Sequence, residues 1–324
     1  KGHTSAESIW PVMFNEINRS GFNPANYSHP VSWAKMYGGT TDFAPDWEGG
    51  RGGAYPTQEL VDCYYQKDKA TGKWMQWWKT TQAQEMGITQ NSKGQLTATS
   101  ENYLDMYKDR DKRFYATILY DSSYYAGNEN ERYLIRTWID NSEFTKTEKY
   151  SALGTYYKHT EKLDITGAAQ STVTSYYAAK YTIGRYNENG TVNYTQSSAC
   201  YFMVRYAEAL LNCAEAAYKL GGKENEVREY INQIRNRAGL DNFDASAVGH
   251  DLWEEYKLQR RIEFAYEVPA QRYFDLIRWG ESEGKTTIDE LNKPTKGMFI
   301  FRKGIESEKV GENGYLAPKD DPKY

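Results

Sequence analysis

The stretch "YFMVRYAEALLNCAEAAYKLGG", residues 201–222, constrains the fold more than any other part of this sequence. Apolar and small residues recur there at steps of three and four, which predicts an amphipathic helix ended by Gly221 and Gly222. The predicted apolar stripe comprises Phe202, Tyr206, Ala209/Leu210, Cys213, Ala216/Ala217 and Leu220. We expect Cys213 on this stripe to behave as a small buried hydrophobic residue.

A second stripe follows within the length of one tetratricopeptide repeat, about 34 residues. Its members are Val227, Tyr230, Ile231, Ile234 and Ala238, closed by Gly239. A single repeat cannot bury its own apolar face, so partner helices are required. Residues 251–279 supply two more helical pieces, broken at Val268-Pro269. Helices that merely pack into a core would produce the same periodicity.

The first 198 residues are rich in loops. Thr57 is a candidate N-cap for a short helix in "QELVDCYYQKD", with Leu60, Val61 and Tyr64 on one face. We expect polar loop over 67–100 and a strand over 116–120 that could pair with "RYLIRTWI" at 132–139, where Trp138 would be a core residue. Residues 140–198 are predicted to be loops with short strands.

Composition excludes several classes of function. The formal charge is −4 with no basic run, which argues against nucleic-acid binding. No apolar run approaches the ~18 residues needed to span a bilayer. Three scattered cysteines and four scattered histidines predict neither a disulfide framework nor a metal site, and no cofactor motif is present. Aromatic residues make up 15% of the chain, many of them in Gly- and Asp-rich stretches.

Six motifs carry a resemblance to a known family. They are "PTQELVDCY", "RDKRFYATILYDSS", "SYYAAKY", "VRYAEALLNCAEAAYKLGG", "VREYINQIRNRAGL" and "RRIEFAYEVPAQRYFDLIRWG". In this order over residues 56–280 they closely resemble SusD/RagB proteins. Gln259 and Lys112 depart from the family pattern, and "YEVPAQR" lengthens a turn between helices.

The resemblance implies a mainly α, tetratricopeptide-like superhelix with long aromatic loops and a few short strands. We expect one unit over 1–324, with a loop-rich binding part (1–198), a repeat-helix scaffold (199–280) and an irregular tail (281–324). Family members are longer, so the chain is expected to be the C-terminal portion of a protein with a lipoprotein signal and further repeat helices upstream.

The resemblance also implies a function. SusD-like proteins are outer-membrane surface lipoproteins of Bacteroidetes that bind glycans or other nutrients. They deliver these to a SusC-like TonB-dependent transporter and need no catalytic residues. The alternatives are a repeat-helix scaffold that binds peptides and, less favoured, a glycoside hydrolase.

Aromatic side chains in the loops are the candidate ligand contacts, because a pyranose C–H face packs on Trp or Tyr while polar groups bind its hydroxyls. The predicted residues are Trp33, Tyr37, Asp46, Trp47, Tyr55 and Trp78. Trp77 and Trp78 are adjacent, so at most one of them faces a given ligand in regular structure. Arg260, Arg261 and Glu263 are expected to join helices, with Arg272 and Asp275 within reach of each other on the next helix.

Overall fold

The protein is described here from a computed structural model. It describes residues 5–12, 55–87, 89–90, 96–97, 103–121, 123–125, 133–134, 157–158, 161–162, 174, 176–181, 200–267, 271–283, 290, 296–300 and 316–318. Trp138 lies outside these residues. None of the described helices is long and apolar enough to cross a membrane.

The scaffold is built from helices. They are α1 (Gln58–Cys63), α2 (Thr81–Glu85), α3 (Lys112–Thr117), α4 (Tyr206–Leu220), α5 (Glu224–Arg237), α6 (Ala245–Val248), α7 (Leu252–Glu263) and α8 (Gln271–Glu283). Single 3-10 segments cover Trp77–Lys79 and Tyr103–Tyr107. The four longest helices, α4, α5, α7 and α8, all lie in the second half of the chain.

The described strands are short and pair antiparallel in twos. The pairs are β1 (Ser8–Val12) with β12 (Tyr201–Arg205), β2 (Tyr65–Lys67) with β3 (Trp74–Gln76), β4 (Thr89–Gln90) with β5 (Leu96–Thr97), β6 (Ile118–Leu119) with β11 (Tyr177–Ala178), β7 (Tyr124–Tyr125) with β8 (Tyr133–Leu134), β9 (Tyr157–Lys158) with β10 (Glu161–Lys162), and β13 (Met298–Ile300) with β14 (Leu316–Pro318).

Helices α4 and α5 form the predicted helical pair. Ala214 of α4 and Ile231 of α5 are completely buried in one core cluster, and the lack of a large side chain at Ala214 lets the helices approach closely. Gly221 and Gly239 adopt the positive φ angles, 72° and 86°, that allow the chain to turn after each helix. The predicted apolar stripe of α5 and the predicted helix ends at Gly221 and Gly239 are therefore confirmed.

The first predicted stripe is confirmed at Leu210 and Ala217 but wrong at Tyr206, Cys213, Ala216 and Leu220, because the buried face is rotated about the helix axis. Residues 201–205 form β12, where Tyr201 lies opposite Val12, so the helix begins only at Tyr206. The buried stripe is Ala207, Leu210, Leu211, Ala214 and Ala217. Cys213 is exposed and Leu220 is 75% exposed, which corrects the expectation that they are core residues. This face belongs to the same core cluster as Val227 and Ile231 of α5.

Three further expectations need correction in the first half. Thr57 does cap α1, but the helix stops at Cys63 because Tyr65–Lys67 pairs with β3. Residues 67–100 contain β3 and α2 rather than polar loop throughout. The strand within 116–120 is only Ile118–Leu119, and it pairs with β11 instead of with residues near 133.

Helix α7 presents three buried polar side chains four residues apart, so they share one face. Glu255 accepts hydrogen bonds from Tyr65 (2.5 Å) and Arg235, and His250 Nε2 lies 2.7 Å from it. Gln259 donates to Glu255 (2.8 Å) and accepts from Arg113 Nη2 (2.8 Å). The neutral amide of Gln259 therefore links the carboxylate of Glu255 to the guanidinium of Arg113.

Glu263, at the end of α7, meets three guanidinium groups from different parts of the chain. Arg113 of α3 donates at 3.0 Å, Arg205 of β12 at 2.6 Å and Arg237 of α5 at 2.5 Å. Burial acts to raise the pKa of Glu263, but these arginines outweigh it and lower the pKa to about 2. Because the three arginines converge on this one carboxylate, Glu263 holds three elements around α7, as expected for a structural role.

Replacing Glu263 with Gln should destabilise the protein strongly. The change leaves three partly or fully buried guanidiniums without their shared anion, and breaking buried ion pairs in this way costs about 3 kcal/mol or more. Urea unfolding measures the loss. The matched control is Glu226→Gln on the exposed face of α5, where Glu226 pairs with the exposed Lys223 and the expected change is below ~0.5 kcal/mol. Equal effects from the two changes would contradict the assigned role.

Stability should fall as the solution is acidified. Burial acts to raise the pKa of Glu255, but the His250 hydrogen bond and the charge of Arg235 outweigh it and lower the pKa to about 2. Glu255 and Glu263 thus contribute stability above about pH 4.5, their ordinary pKa, and lose it as pH falls towards 2.

The unfolding free energy measured from pH 7 to pH 2.5 should therefore drop by ~2 kcal/mol or more below pH 4.5, and Glu263→Gln should make that drop shallower. A free energy that stays constant over this range would contradict the assignment.

Candidate functional site

A cavity of about 480 Å³ lies where the start of α1, the end of α7 and the start of α8 meet. Its walls combine two tyrosine rings with charged and amide side chains. The lining residues are Tyr55, Thr57, Leu60, Arg260, Arg261, Phe264, Ala265, Tyr266, Glu267, Gln271, Arg272 and Asp275. This volume falls within the range of small-molecule sites, and the mixture of rings and hydrogen-bonding groups suits a polyhydroxylated ligand.

Tyr55, one of the predicted ligand residues, lies in the wall of this cavity. Its half-buried ring lies edge-on to Tyr177, with 6.4 Å between ring centres. Burial raises the pKa of Tyr55 to about 12, so its hydroxyl stays protonated at neutral pH and can both donate and accept hydrogen bonds. The ring is therefore held by a neighbour while the side chain faces the cavity.

The start of α1 is fixed from two sides. Thr57 Oγ1 accepts the backbone N–H of Leu60 at 3.4 Å, as its N-cap role predicts. The backbone N–H of Gln58 donates to the carbonyl of Lys296 at 2.8 Å. These contacts fix the backbone immediately after Tyr55.

Two arginines at the cavity converge on one carboxylate. Arg261 Nη1 lies 3.1 Å from Glu290 Oε1, and Arg272 Nη2 donates to Glu290 at 2.9 and 3.0 Å. The expected approach of Arg272 to Asp275 is therefore replaced by a pairing with Glu290. Asp275 accepts from Arg260 Nε at 2.7 Å, a contact that joins α7 to α8.

The two adjacent tryptophans lie in different environments. Trp77 is fully buried and its Nε1 donates to Asp62 Oδ1 at 2.8 Å, whereas Trp78 is half-buried and stands at 89° to the Trp77 ring. Trp78 packs beside the core cluster that contains Trp77 and is not among the residues that line the cavity around Tyr55. The other predicted ligand residues lie outside the described part of the chain: Trp33, Tyr37, Asp46 and Trp47.

Sequence reasoning missed most of the cavity wall. Tyr266 has a φ of 63°, a left-handed conformation that is uncommon outside glycine, and it lies with Gln271 and Arg272 around the longer turn between α7 and α8. The lengthened "YEVPAQR" segment was the signal that could have indicated this site. Among the described residues, no three His, Cys, Asp or Glu side chains form a group that could hold a metal ion.

Comparison with known proteins supports this architecture. The model of the SusD family matches residues 6–318. A SusD-like protein P2 of Formosa agariphila is 32% identical over 93 residues, which cover 26% of this chain and 18% of that protein.

Solved structures resemble the fold at low sequence identity. A SusD-like protein of Bacteroides fragilis gives a TM-score of 0.54 at 20% identity, over 98% of this chain and 49% of that one. A SusD-like carbohydrate binding protein of the same species gives 0.54 at 19% identity, over 98% and 50%. The chain thus spans about half the length of these structures, and the likeness confirms the predicted mainly helical, SusD-like fold. With a family model that matches from residue 6 to residue 318, this protein belongs to the SusD family.

Proposed function

We propose that this protein binds oligosaccharides at the cell surface and delivers them to a TonB-dependent transporter without altering them chemically. The proposal includes attachment to the outer membrane by a lipid anchor and a SusC-like transporter as partner. It also includes the division of residues 1–324 into a loop-rich binding part, a helical scaffold and an irregular tail.

The observation that carries this proposal is the cavity around Tyr55. It brings an aromatic ring predicted to contact ligand together with Gln271 and the arginines of α7 and α8. Such a set matches a sugar, because a ring can cover the C–H face while amide, hydroxyl and guanidinium groups bind the hydroxyls. Membership of the SusD family and the likeness to a carbohydrate binding protein of B. fragilis add support.

Replacing Tyr55 with Ala should weaken oligosaccharide binding about 10-fold, because loss of one stacking contact costs ~1.4 kcal/mol. Tyr55→Phe keeps the ring and should retain most of the affinity. Isothermal titration with the glycans found by array screening measures both variants, and thermal unfolding confirms that each is folded. Tyr273→Ala is the control, since Tyr273 is exposed on α8 but does not line the cavity.

Three results would contradict the proposal. Release of reducing ends from a bound polysaccharide would indicate a hydrolase instead of a binding protein. The absence of any glycan that binds, together with a peptide that binds in the helical scaffold, would favour the alternative scaffold function. Equal loss of affinity in Tyr55→Ala and Tyr273→Ala would place the ligand away from the cavity.

A further inference from the structure

The charged groups on the cavity wall are not equally engaged. Arg261 of α7 and Arg272 of α8 share a single carboxylate, Glu290, which is itself 39% exposed. Burial, and then the charge of Arg261, lowers the pKa of Arg272, as expected where two guanidiniums lie close together. Two positive charges therefore border the cavity, and the carboxylate that they share lies in an adjoining pocket lined by the same two arginines.

The acidic groups on the same wall are each held by two cations. Glu267 pairs with Arg205 (2.7 Å) and with Lys180 (2.5 Å). This double engagement leaves the Glu267 carboxylate with little negative potential to repel an anionic ligand.

Asp275 is held in the same manner. Arg260 Nε lies 2.7 Å from its Oδ2, and Arg278 Nη2 lies 3.0 Å from its Oδ1. Glu59 of α1, which is near Arg261, accepts the backbone N–H of Lys296 at 3.1 Å. The acids around the cavity are thus engaged, and the ion pairs of Arg261 and Arg272 within the described residues are both made with Glu290.

Three buried polar atoms on the wall also have no hydrogen-bond partner within the described part of the chain. They are Gln271 Oε1, Arg272 Nε and Asp275 Oδ1, the last of which has the opposite charge of Arg278 close by, at 3.0 Å. An unpaired buried polar group costs free energy, and Nε is one of the five donors with which an arginine can hold a carboxylate or a sulfate in a fork. A ligand anion that reaches Arg272 would relieve this cost.

We propose that the cavity binds an acidic sugar, with the carboxylate of a uronic acid or a sulfate ester held by Arg261 and Arg272 and the sugar ring against Tyr55. This inference rests on the proposed function and names its ligand class. Glu290, which lines an adjoining pocket of about 240 Å³ together with the same two arginines, then competes with the ligand for them.

The test uses pairs of ligands that differ in charge. Oligogalacturonate is compared with its neutral methyl ester, and a carrageenan tetrasaccharide with its desulfated form. Titration at two salt concentrations follows each pair, since an ionic contact weakens with added salt. The first pair reports on carboxylate recognition and the second on sulfate recognition.

The variants separate charge from folding. Arg261→Gln and Arg272→Gln should each lower the ratio of acidic-ligand affinity to neutral-ligand affinity about 10-fold, because each removes an ionic contact that the neutral ligand does not make. Arg272→Lys keeps the positive charge but loses the bidentate geometry of the guanidinium. Its affinity for the acidic ligand should lie between those of the wild type and Arg272→Gln. Lys223→Gln, which removes a charge at the turn between α4 and α5, should leave the affinity for both ligands unchanged.

The decisive variant is Glu290→Gln. It removes the competing anion without touching the arginines, so it should tighten binding of the acidic ligand ~3-fold or more and leave the neutral ligand unchanged. Equal binding of charged and neutral partners in the wild type, or no gain in Glu290→Gln, would overturn the inference while the proposed glycan-binding function stands. If no glycan of either kind binds, the proposed function fails and the inference fails with it.

Discussion

The structure depends on the buried face of α7 on which Glu255, Gln259 and Glu263 lie four residues apart. Each contacts a group from a distant part of the sequence, and through Gln259 they form one continuous hydrogen-bonded chain. A charge removed from water is expensive unless it is paired and hydrogen-bonded, and here pairing is possible only when α3, α5 and β12 surround α7. The network therefore favours one arrangement of these elements over other compact ones.

This arrangement also builds the candidate site. The helix that carries the three buried groups continues into the cavity wall through Arg260 and Arg261, and Arg260 joins α7 to α8 through Asp275. The opposite wall is the start of α1, fixed by its Thr57 cap and by Lys296. The side chains that face the cavity are thus mounted on elements whose positions are set elsewhere, which reduces the entropy lost when a ligand binds.

Local patterns in the sequence predicted local structure well. Sequence alone predicted the apolar stripe of α5, the helix ends at Gly221 and Gly239, and the Thr57 cap. Each of these depends on residues within a few positions of one another. The buried face of α4 was not predictable in this way, since Tyr206, Cys213 and Leu220 also form an apolar arc. Which of the two faces of α4 is buried depends on the helix that packs against it.

Contacts between distant residues were harder to predict. The pairing of β6 with β11 and of Arg272 with Glu290 depends on how separate segments meet, which no spacing in the sequence records. At the site, the aromatic composition and the motif context led to Tyr55. The cavity behind it required the left-handed turn at Tyr266 and the positions of two helix ends, neither of which can be read from composition.

A structure of the protein with a bound oligosaccharide tests the central claim most directly. That claim is that the buried network on α7, the Arg260–Asp275 contact and the capped start of α1 hold α1, α7 and α8 so that they form a sugar site around Tyr55. We expect electron density for a sugar ring against Tyr55 with the network distances unchanged. A sugar bound elsewhere while the cavity remains empty, or a cavity closed by movement of α8, would contradict the account.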